Sequence, residues 1–157
     1  MLIGKYLTLE ECCKSATALR LGIDNKPNQQ QIIALHSLAV NIYDKCCEKF
    51  LVKIPVVSGF RSKGLNDAIS GSSQSSQHMR GEAFDLDLDG TFNGVNNAQL
   101  FEYIYSHLSF DQLIWEFGTD TSPAWIHVSY DVSGKNRKNV FKSDKDNGKV
   151  HYKPFYK

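Results

Sequence analysis

Three short segments in the second half of the chain alternate apolar and polar residues with period two. Successive side chains of a strand point to opposite faces, so each segment predicts a half-buried strand. The apolar faces of these strands hold Phe84, Leu86 and Leu88, then Leu113, Trp115 and Phe117, then Ile126, Val128 and Tyr130. The opposite faces carry Asp85, Glu116 and His127. If the strands pair in one sheet, these three polar side chains converge on one concave surface.

The first fifty residues follow a helical pattern instead. Thr8 and Glu11 fit a capping box, and apolar residues follow at helical spacing, namely Leu9, Cys13, Ala16 and Leu19. A second helix is predicted to begin near Pro27, with a buried stripe of Ile32, Leu35, Ala39, Ile42 and Cys46. Another amphipathic helix is predicted over residues 96–108. The chain is therefore expected to adopt an α+β fold, with N-terminal helices packed on a small antiparallel sheet.

Length and charge limit the class of protein and its partners. The 157 residues are typical of one domain, so a single domain over residues 1–157 is expected. The protein is also expected to be a monomer. The formal net charge of +1 argues against a nucleic-acid partner. No apolar run reaches the roughly 20 residues that span a bilayer, so no membrane insertion is expected. The start, Met1 to Lys5, becomes polar too soon for a secretory signal, which predicts synthesis without a signal peptide.

The C-terminal segment differs in charge from the rest of the chain. Residues 131–157 hold 8 basic and 3 acidic residues, so this basic C-terminal extension carries a net charge of +5. A solvated surface segment is the preferred interpretation, and an arm that grips an anionic polymer is the alternative.

Several potential metal ligands are expected to be structural. The adjacent pairs Cys12-Cys13 and Cys46-Cys47 fit neither a disulfide framework nor a zinc spacing, and they are predicted to be small buried residues on helices. His36 is expected on a helix surface or in the core, and His107 beside the C-terminus of a helix. Residues 85–90 imitate the start of a calcium loop, but leucines between the acids fit a strand better. Asp87 and Asp89 are therefore expected to be structural.

Residues 76–85 form the most informative segment. His78 and Asp85 are seven positions apart, and a turn through Gly81 would fold the loop back on the strand that carries Asp85. Zinc favours imidazole nitrogen and carboxylate oxygen, and a catalytic zinc has three protein ligands and one water. With His127 as the third ligand, Glu116 is left to take a proton from that water, whose pKa zinc lowers to about 7. These parts predict a metallohydrolase with one zinc ion.

The same segment matches a long motif position by position. Ser76, His78, Gly81, Ala83 and Asp85 fit the pattern S-x-H-x-x-G-x-A-x-D. The segment thereby resembles the family of zinc D-Ala-D-Ala carboxypeptidases and L-alanyl-D-glutamate peptidases, which share a fold with the hedgehog signalling domain. In that family the His and Asp of the motif bind zinc together with a His on a later strand. The resemblance implies that His78, Asp85 and His127 are the zinc ligands.

The resemblance covers roughly residues 5–130. Residues 19–27 are similar to the N-terminal segment of the small, often phage-borne branch, and residues 58–62 are similar to its motif S-G-[FY]-R-S. The Arg of that motif binds substrate in the family. This implies that Arg61 pairs with a peptide carboxylate or polarises the scissile carbonyl.

The general base follows only part of the family pattern. Some members place it three residues before the third ligand, where this chain has Ala124. Glu116 resembles instead the acid on the preceding strand in the hedgehog-like arrangement, which implies the general-base role for Glu116. Members with an H-x-H pair carry a second His two residues before the ligand, and Trp125 stands there in this chain.

The resemblance implies an activity and leaves a rival open. The expected reaction is hydrolysis of an amide bond in the peptide stem of bacterial peptidoglycan, at D-Ala-D-Ala, at L-Ala-D-Glu or at a cross-link. The rival is an inactive zinc-containing module that binds the cell wall or belongs to a virion. A Glu116 side chain within hydrogen-bond reach of the metal-bound water would favour the peptidase, and one that points away would favour the inactive module. Without a signal peptide, the protein is expected to reach the wall after release, as a phage lysis enzyme or a virion component.

Overall fold

Helices dominate the first half of the molecule, as predicted. The computed structural model describes residues 1–90 and 94–155. Its helices are α1 (Leu9–Cys13), α2 (Ala16–Leu21), α3 (Gln29–Leu38), α4 (Asp44–Phe50), α5 (Lys63–Ala68) and α6 (Asn97–His107). A π-helical turn over Ala39–Tyr43 joins α3 to α4, and a 3-10 helix spans Gln77–Arg80. Within the described ranges, none of the helices is long and apolar enough to cross a membrane.

A six-stranded sheet forms the other layer. Its strands are β1 (Val56–Ser58), β2 (Ala83–Leu86), β3 (Gln112–Glu116), β4 (Trp125–Ser129), β5 (Asn139–Asp146) and β6 (Lys149–Pro154), in the spatial order β1-β2-β4-β3-β5-β6. Neighbouring strands are antiparallel except for β3 and β5, which are parallel. The α+β class is confirmed, but the sheet is mixed rather than antiparallel. The chain leaves β4 and crosses to the free edge of β3, where β5 runs in the direction of β3.

The core lies between the helices and one face of the sheet. The sheet side consists of residues that the period-two alternation predicts to face inward, all at most 4 % exposed, namely Phe84, Leu86, Leu88, Leu113, Trp115, Ile126 and Val128. The helical side includes the predicted stripe, of which Leu35, Ala39, Ile42 and Cys46 are fully buried. Tyr43 joins the two layers, because its ring meets Phe84 edge-on and its hydroxyl donates to the carbonyl oxygen of Ile54 at 2.7 Å.

The N-terminal helix differs from its prediction. The capping box of Thr8 and Glu11 is present, but α1 is only five residues long. The hydroxyl of Ser15 accepts a backbone N–H from the next turn and so caps a separate helix, α2. Because Lys14 and Ser15 have extended backbone, the helical spacing that begins at Leu9 does not continue into α2, and Leu19 is 86 % exposed.

The basic extension contributes two strands to the sheet. β5 pairs with β3, and β6 pairs with β5. Residues 139–154 form the C-terminal hairpin. Asn147 and Gly148 connect its strands with φ values of +49° and +79°, the left-handed backbone that a two-residue type I′ turn requires. The extension is exposed along β6, as expected of a solvated segment, but the charge pattern does not predict that it joins the sheet.

Asp111 links this extension to the segment that carries His78. Its carboxylate accepts hydrogen bonds from Nε and Nη2 of Arg137 at 2.8 and 2.6 Å, and from Nε2 of Gln77 at 2.9 Å. Gln77 directly precedes His78, and Arg137 lies just before β5. The hydrogen bonds from Arg137 hold the pKa of the buried Asp111 carboxyl below its usual range.

We predict that Asp111→Asn lowers the free energy of unfolding at neutral pH by about 1.5–3 kcal/mol, the range for hydrogen bonds to charged groups. The pKa of Asp111 is lower in the folded than in the unfolded chain. Its stabilisation is therefore present above about pH 4 and lost as the pH falls through the folded pKa. Urea unfolding of both proteins from pH 7 downward measures the difference.

The control for this experiment is Asp120→Asn. Asp120 pairs with Lys142 but is 97 % exposed, so its loss should leave stability nearly unchanged. A difference between wild type and Asp111→Asn that does not shrink in acid would contradict the role of the Asp111 charge.

Candidate metal centre

The three predicted metal ligands meet at one point on the sheet face opposite the helices. Nε2 of His78 lies 3.3 Å from Oδ1 of Asp85 and 3.2 Å from Nδ1 of His127, and the last two atoms are 2.9 Å apart. All three residues are buried. In the part of the chain that the structure describes, this is the one group of three or more His, Cys, Asp or Glu side chains that could hold an ion.

The separations between these atoms suit a four-coordinate ion. In a tetrahedron with metal–ligand bonds of about 2.0–2.1 Å, neighbouring donor atoms are about 3.3 Å apart. The separations of 2.9–3.3 Å are close to that value. Two imidazole nitrogens and one carboxylate oxygen are ligands that zinc favours, and three protein ligands leave a fourth position for water or substrate. The site therefore fits one zinc ion.

Strand pairing brings Asp85 and His127 together. β2 and β4 are antiparallel neighbours in which these two residues are direct partners. Partners in adjacent strands point to the same face of a sheet. The flanking residues of each strand point the other way, into the core, so burying the apolar residues also sets the direction of both ligands.

A tight turn presents His78 to the two strands. The 3-10 helix that carries His78 ends at Gly81, which has φ +73°. A Cβ atom on Gly81 would lie 2.5 Å from the carbonyl oxygen of Gln31 in α3. Only glycine combines this backbone with so close an approach. Gly81 therefore allows the loop between His78 and Asp85 to close.

A backbone carbonyl orients the His78 ring. Nδ1 of His78 lies 2.7 Å from the carbonyl oxygen of Gly59. Because a carbonyl only accepts hydrogen bonds, Nδ1 carries the proton, and Nε2 keeps its lone pair for a metal. Gly59 is required here by packing, since a Cβ atom on it would lie 2.3 Å from the carbonyl oxygen of Cys12.

The protonation states of the ligands favour metal binding. Burial alone would raise the pKa of Asp85, but the His78 and His127 rings outweigh it and hold that pKa below its usual range. Burial lowers the pKa of His78, against the opposing charge of Asp85. At neutral pH the carboxylate is therefore charged, as metal binding requires, and the lowered pKa of His78 makes its ring easier for a metal to deprotonate.

Arg61 lies against the other oxygen of the Asp85 carboxylate. Its Nη2 donates to Oδ2 of Asp85 at 3.0 Å, and its Nε donates to Oγ of Ser58 at 3.0 Å. Arg61 thus orients a predicted metal ligand, and the sequence does not predict this contact. The substrate contact expected of Arg61 stays a prediction.

Glu116 lies on the same face, one strand further along the sheet. In the β3–β4 pair, Ile114 is opposite His127 and Glu116 is opposite Trp125, so Glu116 is a diagonal neighbour of His127. Its side chain is 7 % exposed, and Oε2 accepts a hydrogen bond from the Ser143 hydroxyl. Burial raises the pKa of Glu116, although the Ser143 hydrogen bond and His127 oppose this shift. The general-base role of Glu116 stays a prediction.

Aromatic residues border the metal face, which is the sheet face that carries Asp85, Glu116 and His127. Phe117, which the alternation predicts to face the core, follows the end of β3 with φ +52° and is half-buried. Its ring packs against that of Trp125, with 5.2 Å between the ring centroids. The left-handed backbone at Phe117 ends the alternation, so the residue does not continue the inward face of the strand.

Asp87 and Asp89 hold the start of α6. Oδ1 of Asp87 accepts the side-chain N–H of Asn97 at 2.9 Å, and Oδ1 of Asp89 accepts its backbone N–H at 2.8 Å. Their predicted structural role agrees with these contacts. Residues 91–93, which continue the calcium-like segment, lie outside the described residues.

His36, His107 and the cysteines have structural surroundings. Nδ1 of His36 lies 2.9 Å from the carbonyl oxygen of Ile3, and His107 is the exposed last residue of α6. The cysteines are free thiols, and three of the four are buried, as predicted for small apolar residues on helices.

Sequence reasoning missed two groups that support the site. The Gly59 carbonyl gives no signal in the sequence, because every residue has a carbonyl. Ser143 lies in the C-terminal hairpin, where Asn147 and Gly148 are the signal that predicts two paired strands. That signal reveals the hairpin but not which strand it joins.

A comparison with known families covers most of the chain. A family model described as Peptidase M15 matches residues 5–129. The matched residues include His78, Asp85 and His127, and they end before the C-terminal hairpin. No curated protein matches the sequence.

We predict that His78→Ala removes the metal from the protein. Two ligands remain in this variant, so zinc affinity should fall by more than about 100-fold, beyond the loss typical of outer-shell changes. Elemental analysis after dialysis, together with chelator competition, measures zinc per chain and affinity. His107→Ala is the control and should keep one zinc per chain, as the wild type should. Equal zinc content in His78→Ala would mean that the ion binds elsewhere.

Proposed function

The chain belongs to the Peptidase M15 family, and from this premise we propose that it is a zinc-dependent peptidase that hydrolyses an amide bond in the peptide stem of bacterial peptidoglycan. The observation that carries the proposal is the group of three donor atoms from His78, Asp85 and His127 within 3.3 Å of one another. Glu116 on the same face supplies an acid that is not one of these ligands.

The proposed roles follow from position and charge. His78, Asp85 and His127 hold the ion; zinc, when bound, supplies a Lewis acid for the scissile carbonyl and lowers the pKa of a water to about 7. A carboxylate oxygen of Glu116 accepts a proton from the attacking water and passes it to the leaving amine. The raised pKa of the buried Glu116 supports this role, because a base is most effective when its pKa lies near the working pH.

We propose that Arg61 binds the substrate while its guanidinium keeps the hydrogen bond to Asp85. A guanidinium has five N–H donors, and its contacts with Asp85 and Ser58 use two of them. Its planar fork suits a peptide carboxylate or the oxygen of the scissile carbonyl. Arg61 would then connect substrate binding directly to a metal ligand.

The bond that is cut decides which of two kinds of peptidase the protein is. Cleavage at D-Ala-D-Ala is carboxypeptidase activity, whereas cleavage at L-Ala-D-Glu or at a cross-link is endopeptidase activity. Arg61 is compatible with each of these bonds. Action on the wall after release, by a phage lysis enzyme or a virion component, stays a prediction.

Digestion of purified peptidoglycan, with mass identification of the new ends, tests the proposal. The wild type should release one defined pair of ends, a chelator should stop the reaction, and added zinc should restore it. Glu116→Gln should keep one zinc per chain but lose hydrolysis by at least about 100-fold, the lower range for general-base catalysis.

The control for Glu116→Gln is Glu48→Gln. Glu48 forms an exposed ion pair with Lys5, so this variant should digest peptidoglycan like the wild type. Full activity of Glu116→Gln would refute its role as base. A zinc-loaded wild type that cleaves no peptidoglycan would refute the peptidase and favour the inactive zinc-containing module.

A further inference from the structure

The C-terminal hairpin lies outside the residues that match the family, yet it supplies side chains to the metal face of the sheet. Glu116 in β3 and Ser143 in β5 are register partners, and so are Ser143 and Tyr152 in β6. Partners in adjacent strands point to the same face. Glu116, Ser143 and Tyr152 therefore form a row that leads away from His127 across the sheet.

Ser143 is fully buried, and hydrogen bonds fix its hydroxyl on both sides. The backbone N–H of Phe117 donates to Oγ of Ser143 at 3.2 Å, and this hydroxyl donates to Oε2 of Glu116. A hydroxyl has only one proton to donate, and here it goes to the carboxylate. One oxygen of Glu116 is thus held by a residue that is itself fixed.

Tyr152 is the next residue in the row and is 56 % exposed. Partial burial of the side chain, together with the charges of Glu116 and Asp85, raises the pKa of Tyr152, while Arg61 opposes the shift. The phenol is therefore protonated at neutral pH and able to donate a hydrogen bond. Its exposure leaves it accessible to a ligand on the metal face.

We propose that the C-terminal hairpin is part of the active site, in which Ser143 positions the Glu116 carboxylate and the Tyr152 hydroxyl donates a hydrogen bond to a carbonyl or carboxylate oxygen of the peptide substrate. This inference rests on the proposed function, since both roles require hydrolysis at the metal centre. Ser143 acts through Glu116 and is a positioning residue, whereas Tyr152 touches the substrate.

The role of Ser143 predicts a selective loss of turnover. Ser143→Ala should lower kcat by about 10-fold or more, part of the 10²–10⁴-fold that a positioned base supplies. KM and zinc content should stay unchanged, because neither the substrate contacts nor the ligands are altered. Ser106→Ala is the matched control, since the Ser106 hydroxyl donates to Glu102 at 2.8 Å on an exposed face of α6. Unchanged kcat in Ser143→Ala would overturn this role.

The role of Tyr152 predicts a selective loss of substrate binding. Tyr152→Phe should raise KM about 3–10-fold, the effect of one hydrogen bond, with kcat and zinc content nearly unchanged. In the Glu116→Gln background, calorimetry with the soluble fragment that the wild type cleaves should show the same weakening on adding Tyr152→Phe. Tyr105→Phe, on α6, is the matched control.

The outcomes separate this inference from the proposed function. An active wild type with unchanged KM and affinity in Tyr152→Phe overturns the substrate contact and leaves the peptidase intact. A zinc-loaded wild type without activity on peptidoglycan overturns the proposed function and the hairpin roles together.

Discussion

One buried carboxylate is the interaction on which the site depends. Oδ1 of Asp85 faces the imidazoles of His78 and His127, and Oδ2 accepts from Arg61. A charge at this depth is stable only when it is paired and hydrogen-bonded. Its partners come from the segment after β1, from the 3-10 helix and from β4, so the fold must bring three distant parts of the chain together before the anion is satisfied.

Backbone constraints make that convergence specific. The core fixes which faces of β2 and β4 carry Asp85 and His127, while Gly81 and Gly59 allow the close approaches that bring His78 to them. The Gly59 carbonyl then selects the ring nitrogen that points to the centre. The Gly59 carbonyl and the Arg61 guanidinium thus orient the side chains of His78 and Asp85.

The grouping of His78, Asp85 and His127 was predictable from the sequence, because the alternation in the strands agrees with the motif that resembles the zinc peptidase family. Alternation sets the direction of Asp85 and His127, and the motif around Gly81 indicates the turn that adds His78. The support for Glu116 was not predictable in the same way. It depends on the parallel pairing of β5 with β3, a contact between distant parts of the chain that brings Ser143 beside Glu116. Net charge does not predict this pairing. The exposed Leu19 and the half-buried Phe117 show the same limit, since a cap and a left-handed residue end periodic patterns that would otherwise continue.

Diffraction from crystals of the zinc-loaded protein, with anomalous data on both sides of the zinc absorption edge, tests the central claim most directly. We expect one zinc peak per chain, at about 2.0–2.2 Å from Nε2 of His78, Oδ1 of Asp85 and Nδ1 of His127. A zinc peak at other residues, or none between these three atoms, would contradict it.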